Sequence, residues 1–367
     1  MGKLWQIINV DQREASQHLW GELGSWFFYP HEPLLSHISL PVLPKEVDEW
    51  LADGPISPQP GPLSHMPVEL LDLLFDELHD VLHDVVRLAI TCKPLLAVGR
   101  RHLLRATRAH YAPWAGARLI SLDDGTPSLS LAALPPRLLT AAEQSEIEKA
   151  EFPKYAAAEA GGEGEGEVER SLSSFAAHYY ARVFTREWRQ PRINDAGAFE
   201  RHLRSFMVCP DDDGERNIHT SAAAAERDVH MFRTLYGDGR RATYPPGARV
   251  LCNLSKGEYV RGDGLTVPRH ANLAHALLAR ICWSSSREVG MVCADDYRPQ
   301  LTAGPWAGDR FCVTSLDLLS EMEMDLSDGD GGGDGEKREW RDVTREVAEV
   351  LAHIWENNSA KWVVFCK

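Results

Sequence analysis

Residues 66–96 read MPVELLDLLFDELHDVLHDVVRLAITCKPLL, and this stretch decides how the chain is organised. Pro67 suits a helix start, where a missing N–H costs nothing, and Glu69 follows in the first turn, where a negative charge meets the positive end of the helix dipole. Leu70, Leu71, Leu74, Phe75 and Leu78 then recur at three- and four-residue spacing, so a helix gathers them into one apolar stripe. A second amphipathic segment carries Val85, Val86, Leu88, Ala89 and Ile90 and ends at Cys92-Lys93. Pro94 then breaks the helix or starts the next one.

The order Pro-x-Glu-Leu-Leu, then Leu-Phe, an Asp84-Val85 pair and Thr-Cys-Lys before a third helix resembles the F-box. The departures are Met66 for the usual Leu, a longer connection from Leu78 to Asp84, Val85 for the usual Leu, and Pro94-Leu95-Leu96 in place of a basic-aromatic ending. The resemblance implies a docking device rather than a catalyst. The chain would be the target-choosing subunit of a cullin–RING ubiquitin ligase, with Pro67, Leu70, Leu71, Leu74, Phe75 and Leu78 in a groove of the Skp adaptor protein. The target is an unknown protein. No catalytic residue and no cofactor is implied. The alternative is a non-enzymatic binding or scaffold module whose F-box-like helices are merely structural.

Outside this segment the chain is that of an ordinary globular protein. It has 367 residues, 44% hydrophobic and 25% charged, enough for two or three folding units. A net charge of −15 argues against nucleic-acid binding and against an anionic membrane surface. No apolar run reaches the ~20 residues that span a bilayer. Seven cysteines without CxxC spacing fit reduced thiols, so a cytoplasmic or nuclear location is expected.

Residues 53–65, DGPISPQPGPLSH, read as a connector into the F-box-like helices, placed at 66–105. Residues 156–170 and the insertion 325–339 are acidic and low in complexity, and read as disordered. Residues 171–240 read as a helical connector, with SSFAAHYYARVFTREW and AFERHLRSFMV as its helices. RVLCNLS, ARICWSS and DRFCVTSL read as short strands, and VTREVAEVLAHIWEN as an amphipathic helix.

The chain also echoes itself. Pro113-Trp114-Ala115-Gly116-Ala117-Arg118 returns as Pro305-Trp306-Ala307-Gly308-Asp309-Arg310, and more weakly Asn9 to Glu14 returns as Asn253 to Glu258. The interval between the first pair of echoes exceeds that between the second by about the length of the connector plus the helical hairpin. The expected fold is therefore α+β: two related small α+β modules, one of 1–52 plus 106–150 and one of 245–367, with the helical F-box-like segment inserted in the first. With these features the chain as a whole resembles a group of basidiomycete fungal F-box-domain-containing proteins. They share the Met-Gly-x-x-Trp start, a twice-repeated Trp-Ala-Gly-Asp-Arg, and segments that here are 253–261, 280–285 and 340–344. This chain departs at Ala117, where the group has Asp, so the first turn is expected to lack a side-chain hydrogen bond.

Trp114 and Trp306, with Arg118 and Arg310, are candidates for a cleft that holds the cargo, because aromatic residues beside glycine often line recognition clefts; the competing reading packs both indoles behind a turn, with the arginines ordering it. His79 and His83 would share one face of a helix, the spacing of a metalloprotease helix, but Asp80 is short for the usual Glu and no third ligand stands out, so a metal-dependent hydrolase is a distant third reading. Cys252, Cys282 and Cys312 sit among apolar residues and read as core. His270 and His275 read as solvated surface residues.

Overall fold

A computed structural model describes residues 4–16, 19–20, 27, 31–53, 62–123, 129–152, 170–183, 222–236, 242–266, 271–284, 294–321 and 340–362. The low-complexity stretches 156–169 and 325–339, the segment AFERHLRSFMV, and His270 lie outside them. The protein is α+β. Its described strands, in chain order, are β1 (Leu4–Asn9), β2 (Glu14–Ser16), β3 (Leu19–Trp20), β4 (Leu119–Asp123), β5 (Ala181–Val183), β6 (Arg249–Asn253), β7 (Glu258–Arg261), β8 (Cys282–Trp283), β9 (Phe311–Ser315) and β10 (Arg341–Asp342).

Two compact units partition the chain. The first is Met1–Ser39, Trp114–Arg186 and Pro246–Lys367; the second is Leu40–Pro113 with Glu187–Pro245. In the first unit one sheet has the order β5-β2-β1-β4-β8, with β3 also paired to β1, and the other has the order β10-β7-β6-β9. The two sheets, expected in separate modules, share one apolar core: Trp5, Ile7 and Leu119 cluster with Leu251, Phe311 and Val313. Strand alternation explains the layering. Trp5 and Ile7 point into that core, while Ile8 joins Ile120, Leu122, Leu138 and Phe175 in a separate cluster.

Registers in the two sheets correspond position by position. β1 pairs β2 with Asn9 opposite Glu14, and β6 pairs β7 with Asn253 opposite Glu258. β1 pairs β4 with Asn9 opposite Leu119, and β6 pairs β9 with Asn253 opposite Phe311. The helix Glu32–Ile38 leads to Ser39, which bridges in parallel to Val313; the helix Leu273–Ile281 leads to Cys282, which pairs in parallel with Ser121.

ARICWSS is helical through Ile281 and extended only at Cys282 and Trp283. Asn272 caps that helix by accepting from Ala274 N and His275 N, and every residue of Leu273–Ile281 is buried, so helical hydrogen bonding satisfies the backbone where no strand partner exists. His275, expected at the surface, is 3% exposed and closes the capping box. SSFAAHYYARVFTREW likewise stops being helical at Tyr179, because Ala181–Val183 pairs with β2. The helix Thr344–Trp362 buries Val347, Val350, Leu351, Ile354 and Trp355, as its periodicity demands.

In the second unit the helices Glu46–Ala52, Val68–Glu77, Leu82–Ile90, Lys93–Tyr111 and Ala222–Tyr236 surround a core of Val47, Leu71, Phe75, Val85, Val86, Leu95, Leu96, Leu103, Phe232 and Tyr236. Gly99 lets the long helix approach Phe75: a Cβ there would lie 2.6 Å from the ring.

Candidate functional site

Helix Val68–Glu77 begins where the sequence places it. Pro67 is its N-cap, and Glu69 stands in its first turn. The stripe of Pro67, Leu70, Leu71, Leu74, Phe75 and Leu78 divides into two faces. Leu71 and Phe75 are 7% and 0% exposed and, with partly buried Leu78, follow i, i+4, i+7 spacing into the unit's own core. Phe75 also stacks on buried His102, centroids 5.3 Å apart, and His102 Nε2 meets Asp72 Oδ1 at 3.0 Å. Phe75 and Leu71 are therefore packing residues and not docking anchors, since burial leaves them no surface to offer. Leu70 and Leu73, 47% and 59% exposed, lie with half-buried Leu74 on the neighbouring i, i+3, i+4 face, with exposed Pro67 three residues before Leu70. Leu73 keeps a three-residue spacing from Leu70 but lies outside the arc that the stripe's other members cover on the helix.

His79 and His83 do not share a helix. The first helix ends at Glu77 and the next starts at Leu82. His79 pairs with Asp80 at 2.9 Å and His83 with Asp84 at 3.4 Å, so the metalloprotease geometry is not formed. Among the described residues no cluster of His, Cys, Asp and Glu is arranged to hold a metal ion, and no helix is long and apolar enough to cross a membrane.

In the first unit the Trp-Ala-Gly segments are turns that interlock. Gly116 and Gly308 have φ of 76° and 87°, the left-handed region in which a side chain is strained. Gly116 N donates to Phe311 O at 2.7 Å, and Gly308 N donates to Leu119 O at 2.8 Å. Trp114 N donates to His37 O, and Trp306 N to Arg280 O. Both indoles are 0% exposed, with Nε1 donating to a carboxylate: Trp114 to Glu14 at 2.5 Å, Trp306 to Glu258 at 2.6 Å. Neither tryptophan lines an open cleft, because each is wanted as core and as a hydrogen-bond donor.

Arg118 donates to Asp11, to Glu143 and to Leu138 O. Arg310 donates to Asp11 Oδ2 at 2.9 Å and to Gly116 O at 2.6 Å. Both arginines order the turns. Burial pushes the Asp11 carboxyl up, and the hydrogen bonds and charge of Arg118 more than offset it, so the group sits below its usual range. Ala117 has the expected consequence. Asn253 Nδ2 donates to Asp309 Oδ2 at 2.8 Å, whereas Asn9 Nδ2, at the matching position, has no partner among the described residues.

A cavity of about 630 Å³ opens beside the second turn, lined by Lys256, Glu258, Arg280, Tyr297, Arg341, Glu346 and Glu349 among others. Arg280 lies at the end of the fully buried helix Leu273–Ile281, and its guanidinium sits 4.8 Å from the Trp306 ring centroid. Its Nη2 is 3.7 Å from Glu258 Oε2, an ion pair too long for a hydrogen bond, and burial lowers its pKa. Glu258 is already engaged by Trp306 and by Arg341 Nη2 at 2.5 Å. The sequence signal that could have marked this place is an arginine in the largely apolar run LAHALLARI, together with the weak echo that aligns Glu258 with Glu14.

No family model, no curated protein and no solved structure matches the chain.

Proposed function

We propose that this protein is an F-box-type receptor that links a target protein to a Skp–cullin–RING ubiquitin ligase. The observation that carries the reading is the two-faced helix Val68–Glu77. Leu71 and Phe75 anchor it to its own unit, while Leu70 and Leu73 stay in solvent beside Pro67. Isolated apolar residues on a surface need no explanation, but adjacent leucines on one helix face suit helix-in-groove association. The docking set is thus Pro67, Leu70, Leu73 and Leu74. The same unit keeps its three successive helices, Val68–Glu77, Leu82–Ile90 and Lys93–Tyr111, in the order that the F-box resemblance implies. The cargo falls to the first unit, at a surface other than the buried tryptophans. No catalytic step is required of the chain.

The test is a binding measurement with purified full-length protein and the Skp adaptor. A complex with micromolar or better affinity is expected. Leu70→Asp with Leu73→Asp should cost at least about 2–4 kcal/mol of binding and leave the melting curve within about 0.5 kcal/mol of wild type. Absence of a complex with folded wild-type protein sinks the reading. It then leaves the binding or scaffold module with structural helices.

A further inference from the structure

We propose that the cavity beside Trp306 is a binding site for a small zwitterionic ligand of amino-acid type, whose carboxylate is held by Arg280. The proposal is independent of whether helix Val68–Glu77 docks an adaptor.

Arg280 carries the inference. It is 6% exposed, it lines the cavity, and its Nε has no hydrogen-bond partner. Among the described residues none of its guanidinium N–H groups donates a hydrogen bond; its side-chain partners are the Trp306 face and the distant Glu258 oxygen. A guanidinium presents five donors in a planar fork, and burying it without hydrogen bonds is costly. The nearest carboxylate cannot repair this, because Glu258 is drawn to Trp306 and Arg341. A ligand carboxylate entering the cavity would take up these donors in short, charge-assisted bonds.

The remaining lining sets the ligand's overall charge. Lys256, Arg280 and Arg341 are balanced by Glu258, Glu346 and Glu349, so the cavity presents no net charge. A polyanion such as a nucleotide would be repelled by Glu346 and Glu349, both half exposed on the helix Thr344–Trp362. A molecule with one carboxylate and one ammonium meets both signs. The volume lies within the about 300–1,000 Å³ usual for small-molecule sites, and Tyr297, Pro299 and Pro305 supply apolar contact. The matching place beside Trp114 holds His37, whose ring packs edge-on against the indole at 5.8 Å, so the site belongs to the second turn alone.

The experiment is calorimetric titration of the full chain with L-lysine, L-leucine, succinate and inorganic phosphate. Lysine and leucine should bind, lysine more tightly because of Glu346 and Glu349, and succinate and phosphate at least tenfold more weakly. Arg280→Met should abolish binding of lysine and leucine. Because Arg280 packs on Trp306 and that variant risks misfolding, Glu346→Lys with Glu349→Lys on the exposed rim provides a second arm. It should weaken lysine at least tenfold and strengthen succinate. No binding of lysine or leucine to folded protein overturns the proposal, as does phosphate binding more tightly than both, or a Glu346→Lys/Glu349→Lys variant that leaves the order of ligands unchanged.

Discussion

At Trp114 the neighbouring helix end presents His37; at Trp306 the same place holds Arg280. The two turns otherwise share their backbone hydrogen bonds, their left-handed glycine and their buried Trp–Glu pair. The first is electrostatically closed: Arg118 is surrounded by Asp11 and Glu143 and is 13% exposed. The second is open, with a buried cation facing a cavity and Asp309 pushed up by burial against the pull of Asn253 and Lys256. One backbone frame therefore supports two electrostatic solutions. Backbone geometry is fixed by register and turn hydrogen bonds, whereas the charge at each turn depends on a few side chains that reach it from elsewhere in the unit.

The most forceful way to break this comparison is to remove the shared element. Trp114→Ala and Trp306→Ala should each cost about 3–5 kcal/mol in denaturant unfolding, since each deletes a fully buried indole and removes the indole N–H donated to a carboxylate. Clearly unequal losses would show that the turns are not energetically equivalent.

Next in size is the pH effect of the histidine at the first turn. Burial holds His37 at about 4, against 6.5 for a free imidazole. The folded state resists protonating it, so its contribution is complete above pH 6.5 and is lost as pH falls towards 4. The loss should approach about 3 kcal/mol. His37→Gln should flatten that part of the stability profile. Asp11, Glu143 and Glu258 all sit below their usual carboxylate range, and so act only at lower pH. A profile in His37→Gln as steep as wild type between pH 6.5 and 4.5 would remove this distinction between the turns.

Asp309→Ala is expected to cost about 1–3 kcal/mol, because Asn253 Nδ2 would be left buried without its acceptor, the condition already present at Asn9. The smallest effect is the reciprocal one. Ala117→Asp should stabilise the protein by about 0.5–1.5 kcal/mol at pH 7 by supplying Asn9 Nδ2 with an acceptor, and Asn9→Ala in the same background should cancel the gain. A destabilised Ala117→Asp would mean that desolvation of the new carboxylate outweighs the hydrogen bond.

Much of this molecule was legible in the residues themselves. Helix Val68–Glu77 starts at Pro67 because proline at that point loses no hydrogen bond, and Thr344–Trp362 is helical because its apolar residues recur with the helical period. The paired Trp-Ala-Gly segments announced two similar turns, and Ala117 announced a missing hydrogen bond. These are local facts, governed by backbone sterics and by spacing over a few residues. Tertiary structure decided the rest. Leu70 and Leu71 are neighbours of one type in one helix, yet only packing against Val85, Val86 and Leu103 determines which is core and which meets solvent. Trp114 and Trp306 read as candidates for a cleft or for a packed core, and their full burial with hydrogen bonds to Glu14 and Glu258 settles them as buried donors. In the sequence Arg280 is a lone charge in a largely apolar run. Its burial over Trp306, away from a free carboxylate, arises from strands and helices distant in sequence, and local spacing carries no record of such long-range encounters.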